Sequence, residues 1–398
     1  MQHSVDAARY PLRDRRYQGQ ANEPFVTGSH APDYEILDVR DSAGLNPFTA
    51  ELDALTGQAI EANVFYEPWM LRAALEHLKS VDAHIILVRH RRDGITGVFP
   101  FQLQSRLRGL PVRNLTSWRH PYCFLRTPIV SRIHGRATLR ALFAWLESRE
   151  APARVVEFDL VAGDGPFWTL LSEEAHTRGW AANVATFERA AFAPSAAVQT
   201  TLSKKHLKEL RRLERRLGER GALAYRALQP NEPVQPWLDR FLDLEASGWK
   251  GRAGTAISSE AHNRAFFASV AARASARGQI QMLAIELDDV PVAMKCNFLS
   301  DDSAFAFKIA YDEDLASYSP GVLLELFNMR HLHEAHSSIR SMDSCAIPDH
   351  PMINRVWAGR RTIATCVMVN RGLARIAIKH WAHLRSLRRM LKWRVESD

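Results

Sequence analysis

Two lysines, one aspartate and a Ser-Pro-Gly turn are the residues of this 398-residue chain whose types and spacing could do chemistry. Lys295 and Lys308 lie in neighbouring strand-like runs, and folding those runs about the polar turn at 300–303 brings them almost opposite each other. Like charges paired across strands repel unless something anionic lies between them, so this face, which also carries Asn297, calls for a ligand or an internal carboxylate. The ordinary alternative is an alanine-rich face under a helix, with the lysines reaching for the rim. Ser319-Pro320-Gly321 reads as a helix start: Ser319 at the N-cap, Pro320 at the first helical position, and Gly321 allowing close approach to the backbone. The free amides of such a start, aided by the helix dipole, bind phosphate. Asp343 falls at the end of the strand that follows, where ligands of open α/β sheets gather. It is the leading acceptor-binding or proton-accepting carboxylate, with Lys308 as its charge partner; a capping role is the rival.

Positioning these groups takes a meander, a helix and a returning strand. The runs 280–287, 290–299 and 304–311 are separated by Asp288-Asp289 and by 300–303, a helix spans 322 to about 335, and a strand occupies 339–343. Regular alternation places Met294, Cys296, Phe307 and Tyr311 on an apolar face and Ala293, Lys295, Asn297 and Lys308 on the other. The first half repeats a similar order. A strand at 34–39 and a helix ending near 79 precede a hairpin at 84–90 and 95–104 about Asp93-Gly94; a strand near 112–118, a helix at 135–149, a strand at 155–161 and a helix at 167–179 follow. Between the halves, 201–220 is a basic helix striped with Leu202, Leu210, Leu213 and Leu217. It could hold an anionic partner or be a solvated linker, and the lack of interleaved aromatic residues weighs against single-stranded nucleic acid. The loop Trp118-Arg119-His120-Pro121-Tyr122-Cys123 either lines a substrate groove or plugs an interface.

Meander, phosphate-binding helix start, helix and parallel strand is the order of the GNAT acyl-CoA N-acetyltransferase fold. Phe241-Leu242-Asp243-Leu244-Glu245-Ala246-Ser247-Gly248-Trp249-Lys250-Gly251, Tyr318-Ser319-Pro320-Gly321, Asp343-Ser344-Cys345-Ala346 and Pro348-Asp349-His350-Pro351-Met352-Ile353-Asn354 resemble the acetyltransferase group associated with cellulose and exopolysaccharide biosynthesis, itself similar to Fem-type transferases. The resemblance runs from about residue 34 to about residue 373 and is most specific in the second half. It implies an α/β (α+β) fold of two GNAT-like domains in tandem, each a mixed, mostly antiparallel sheet flanked by helices. The divisions expected are a disordered arm at 1–32, a degenerate GNAT-like domain at 33–192, a GNAT acetyltransferase domain at 193–370 and a basic amphipathic helix at 371–398. It further implies acetyl-CoA as co-substrate, bound at Ser319, Pro320, Gly321, Val322 and Leu323. The family's phosphate loop reads Gln/Arg-x-x-Gly-x-Gly/Ala, however, and here Tyr318 and Leu323 occupy its first and last places. Glu245, Trp249, Lys250, Lys295 and Asn297 become candidates for acceptor contacts. Direct transfer to an amine or hydroxyl of an envelope or exopolysaccharide precursor needs a proton acceptor, Asp343, and a group to protonate the thiolate, Tyr311 or Tyr318. A covalent route through Cys345 and His350 is the chemical rival. A non-catalytic scaffold and a Fem-like aminoacyl-tRNA-dependent transferase are the functional ones.

A net charge of +8 favours anionic partners without choosing among them. Four dispersed cysteines without a Cys-x-x-Cys pair indicate neither a disulfide framework nor a zinc site, and no metal is expected. No apolar run approaches the roughly 20 residues that span a bilayer. A cytoplasmic protein is expected, with the C-terminal basic helix as a candidate peripheral membrane contact.

Overall fold

The computed structural model describes residues 25–31, 33–78, 82–196 and 200–370, so the expected C-terminal helix and most of the N-terminal arm lie outside the described residues. In chain order the elements are β1 (Phe25–Ala31), β2 (Tyr34–Val39), α1 (Thr49–Thr56), α2 (Pro68–His77), β3 (Ala83–His90), β4 (Gly94–Gln104), β5 (Asn114–Ser117), β6 (Ile129–Val130), α3 (Gly135–Glu147), β7 (Val155–Ala162), α4 (Pro166–Thr177) and β8 (Ala181–Phe192). The second half adds α5 (Lys204–Gly218), β9 (Leu223–Ala227), α6 (Val234–Ser247), α7 (Trp249–Arg252), α8 (Ala261–Ser275), β10 (Ile280–Leu287), β11 (Val290–Ser300), β12 (Ser303–Tyr311), α9 (Pro320–Ala335), β13 (Ser341–Asp343), α10 (Ile353–Val356) and β14 (Gly359–Val369).

These strands join one sheet in the order β1-β2-β3-β4-β5-β7-β14-β8-β13-β12-β11-β10-β9, with β6 on β4. It is mixed and mostly antiparallel: β5 with β7 and β12 with β13 are its parallel pairs among the described residues. The arm expected up to residue 32 is partly strand, since β1 pairs with β2. More consequentially, β14 lies between β7 and β8, so the division expected at 192 and 193 is crossed by a strand that completes the first half from the far end of the chain.

Local chemistry explains several elements. Gly94 sits at φ +79°, a conformation that costs glycine little, and closes the β3–β4 hairpin as Asp93-Gly94 predicts. Pro68 opens α2 after the extended Glu67. Glu67, buried and with its carboxyl raised by that burial, bonds Trp69 Nε1 (2.7 Å), Gln279 Nε2 (2.9 Å) and the Ser300 hydroxyl. It thereby ties the first half to β11. One apolar core made by α1, α2, α6 and α8 contains residues of both halves, among them Trp69, Trp118, Phe241, Phe266, Phe298 and Phe307. A second core lies under α3 and α4, and a third under α5 and α9.

The meander forms, but its register differs from regular alternation. Leu287 pairs with Val290 and Glu286 with Pro291, then Ile285 pairs with Ala293, so Val292 bulges out of the ladder. Between β11 and β12, Asn297 pairs with Ala306 but Cys296 with Lys308, and Phe307 is the extra residue. Each bulge slips the pairing by one and exchanges the two faces beyond it. Lys295 therefore pairs with Leu283 and Ile309, while Lys308 pairs with Cys296 and hence lines up with Met282. The two lysines lie on opposite faces, which corrects the expected pairing of ammonium groups.

Candidate functional site

On the face shared with the first half, the bulge presents both Phe307 and Lys308 to the core. Lys308 Nζ lies 5.2 Å from the centre of the Tyr122 ring and 5.8 Å from that of Phe124, within cation–π range. Both rings come from the loop after β5. That loop is anchored where Tyr122 stacks on Phe266 of α8 at 5.2 Å and Tyr66 Oη donates to Trp118 O at 2.8 Å. Within it, burial lowers the His120 pKa to about 3, with Arg126 adding to the effect, so the imidazole is neutral. The loop thus plugs the seam between halves and also walls Lys308. Burial, and then the charge of Lys250, lowers the Lys308 pKa to about 8, against a smaller opposing pull from Glu245. No carboxylate pairs with it among the described residues.

Glu245 and Lys250 meet beside Lys308. The Lys250 ammonium donates to Glu245 Oε1 at 2.9 Å and to Ile309 O at 3.1 Å, while Glu245 Oε2 accepts from Ile257 N at 2.8 Å. Trp249 is 56% exposed, at the mouth of a cleft it shares with Tyr311 and Glu313. Lys295 and Asn297 lie on the opposite face beneath α9. Lys295 Nζ is 2.7 Å from Glu325 Oε1, the internal carboxylate that the sequence left open, and Asn297 Nδ2 donates to Gln281 (2.7 Å) and Asn328 (2.9 Å). Both are buried within that network, away from any acceptor on the Lys308 face.

Strands β12 and β13 pair only from Ser303–Ser341 to Phe305–Asp343 and then part. Asp343 closes the paired stretch, but Lys308 is not its charge partner. Its Oδ2 is 3.2 Å from Arg361 and 3.5 Å from Arg189, and its Oδ1 accepts from Cys345 N at 2.7 Å. Arg361 also reaches Glu61 (3.5 Å) and Asp164 (3.6 Å). Asp343, Arg361, Glu61 and Asp164 line a cleft of about 470 Å³ with Ser303, Ser341 and Gly165. Burial raises the Glu61 carboxyl to about 7 despite the nearby Arg361. Sequence reasoning missed Glu61, Asp164, Arg189 and Arg361, because residues so far apart in the chain carry no spacing signal.

At the start of α9, Pro320 takes the first helical position as expected, but Ser319 adopts φ 56° and its side chain makes no capping bond. Pro320 and Gly321 are buried. A β-carbon on Gly321 would stand in ordinary contact with the Tyr311 ring (3.5 Å) and Met352 Sδ (3.6 Å). The Val322 and Leu323 amides donate to Ser319 O at 3.0 and 3.1 Å, and Leu323 is in the core. In the expected phosphate cradle, two amides are thus already bonded within the helix start. What remains beside it is the half-buried Tyr318, with the guanidinium carbons of Arg216 and Arg220 at 5.9 and 5.8 Å from its ring centre.

The Cys345 thiol is pushed well above its ordinary value, by burial first and by Asp343 second, which opposes the thiolate that a covalent route requires. His350 Nδ1 accepts from Ile353 N at 3.3 Å and contacts no thiol in the described hydrogen bonds.

Comparison with known proteins agrees with this architecture. Residues 204–350 match the acetyltransferase (GNAT) domain family. No curated protein matches the sequence. Among solved structures, the C-terminal domain (DUF2156) of a putative lysylphosphatidylglycerol synthetase from Agrobacterium fabrum is 14% identical, covers 85% of this chain and 96% of its own, and superposes with a TM-score of 0.51. FemX is 11% identical over 83% of this chain and 98% of its own, with a TM-score of 0.52. A conserved protein of unknown function from Bacteroides thetaiotaomicron VPI-5482 is 10% identical over 80% and 97%, with a TM-score of 0.51. At such identities the likeness is one of fold: a mixed, mostly antiparallel sheet flanked by helices.

Proposed function

We propose that this chain is an acyltransferase that carries an acyl group from acyl-coenzyme A directly to an amine of an envelope or exopolysaccharide precursor. The observation that carries the reading is Lys308, an amine without a carboxylate partner among the described residues, lowered to about 8 and held against aromatic rings where β12 leaves β13. An acceptor ammonium must lose a proton before its nitrogen can attack a thioester, and a base poised near neutral pH serves that step well. The amine nitrogen bonds the carbonyl carbon, the carbon–sulfur bond breaks, the departing thiolate receives the proton taken by Lys308, and the second nitrogen proton, shed as the amide forms, leaves to solvent. Arg216 and Arg220, exposed beside Tyr318, supply charge for the phosphates of the donor. The polar cleft at Asp343 and Glu61 offers carboxylates to the hydroxyl groups of a glycan-like acceptor.

Calorimetry with acetyl-CoA, followed by thiol release across a panel of amine acceptors, tests the proposal. Micromolar donor binding and acceptor-dependent thiol release are expected. Absence of any coenzyme A binding to the wild-type chain overturns the reading.

One observation favours a second reading. Lys204, Lys205, Lys208 and Arg211 of α5 are exposed and make no ion pair in the described set, a footprint that would suit the phosphates of an aminoacyl-tRNA donor. Tight, salt-sensitive tRNA binding without coenzyme A binding would reverse the ranking. Binding of neither donor would leave the scaffold reading.

A further inference from the structure

The first half carries a cluster that the acyl-transfer reading does not use. His90 ends β3, Asp93 lies in the β3–β4 turn, and His134 occupies the N-cap of α3 without capping it. Asp93 Oδ2 is 2.7 Å from His90 Nδ1 and 3.3 Å from His134 Nε2, and one donor atom from each of the three residues lies within 4.8 Å of the others. The imidazole rings face each other at 5.0 Å between centres.

We propose that His90, Asp93 and His134 form a binding site for a divalent first-row transition ion of the zinc type. Two imidazoles and a carboxylate are the donor set such ions take, and three protein ligands leave a position for water. The donor atoms are already gathered within 4.8 Å of one another, although the Asp93 amide also donates to His90 Nδ1 at 3.3 Å and would have to give way to an ion bound there. His134 is also held from behind: its other ring nitrogen is 3.0 Å from the Tyr34 hydroxyl, the kind of outer contact that fixes the tautomer and orientation of a ligating imidazole. Access is open, with the side chains of His90, His134 and Asp93 exposed by 16%, 22% and 54%. The exposed Arg91 and Arg92 on the same turn oppose a cation, so the affinity expected is moderate. Binding would join the β3–β4 turn to the start of α3, clamping segments otherwise linked here by exposed polar contacts.

Titrating the full chain with Zn²⁺ by calorimetry, and with Co²⁺ by visible absorption, reads the site directly. One ion per chain at low micromolar affinity is expected, with Co²⁺ showing the bands of a low-coordinate complex. His134→Ala and His90→Ala should each weaken binding at least about tenfold, and Tyr34→Phe, which keeps all three ligands, by about tenfold. The proposal is overturned if the wild-type chain binds neither ion, or if a folded H90A/H134A variant, checked by circular dichroism, binds as tightly and gives the same Co²⁺ spectrum.

Discussion

At the scale of single residues, Asp343 is paired with Arg189 and Arg361, whereas Lys308, proposed above as the base, has no carboxylate partner among the described residues. A lysine lowered to about 8 holds its proton less tightly in the folded chain than in the unfolded one, whose ordinary value is about 10.5. Between those two pH values the unfolded chain binds more protons, so this group's contribution to stability rises with pH across the window, and below 8 the full penalty of burying the cation is present. Replacing Lys308 by Met should therefore raise the melting temperature at pH 7, with the gain shrinking as pH climbs toward 10, while turnover falls by about 100-fold or more. The wild-type kcat/KM should show a limb rising near pH 8 that the variant lacks. A variant that melts lower at pH 7 would assign Lys308 to packing instead. Asp343 is held by Arg189 and Arg361, so Asp343→Asn leaves the buried Arg189 without its ion-pair partner and Arg361 with Glu61 and Asp164 alone, and should cost about 3 kcal/mol, read by urea unfolding. An unchanged midpoint would show that the ion pairs contribute little.

At the scale of elements, the legible and the hidden divide along a physical line. Residue type marks an element strongly when the signal is local: Asp93-Gly94 fixes a hairpin, Pro68 and Pro320 open helices, and the leucine stripe of 201–220 became α5 with Leu210 and Leu217 buried. Bulges carry no such mark. Val292 and Phe307 are ordinary strand residues, yet each displaces a ladder by one, and the bulge at Phe307 turns Lys308 to the seam while Lys295 stays under α9. Strands β8, β9 and β14 went unread for a related reason: their pairing partners lie elsewhere in the sheet, and a short apolar run does not announce whether it is strand or buried helix. The basic helix can be tested by itself. Arg216→Ala combined with Arg220→Ala removes two exposed cations beside Tyr318 and should raise the Kd for acetyl-CoA several-fold and flatten its salt dependence, with the melting temperature nearly unchanged. Equal affinity in 50 and 300 mM salt for both proteins would sink the phosphate role assigned to α5.

At the scale of the whole molecule, the expectation of two tandem units meets a sheet and an apolar core that both halves share. Thermal unfolding of the full chain is accordingly expected as one transition by calorimetry, and a fragment ending at residue 192 should give the poorly dispersed NMR spectrum of an unfolded chain. Two separated transitions, or a well-dispersed fragment, would show that the halves stabilise themselves independently. The reason lies in β14, whose residues Gly359 through Val369 pair along β8 and, on the other side, along β7. During synthesis this arrangement has a temporal cost. The first half emerges from the ribosome with a slot between two strands that only the last described stretch can fill, and until then both exposed edges invite pairing with a neighbouring nascent chain. Premature termination anywhere before that stretch would thus yield an adhesive intermediate in place of a smaller folded protein.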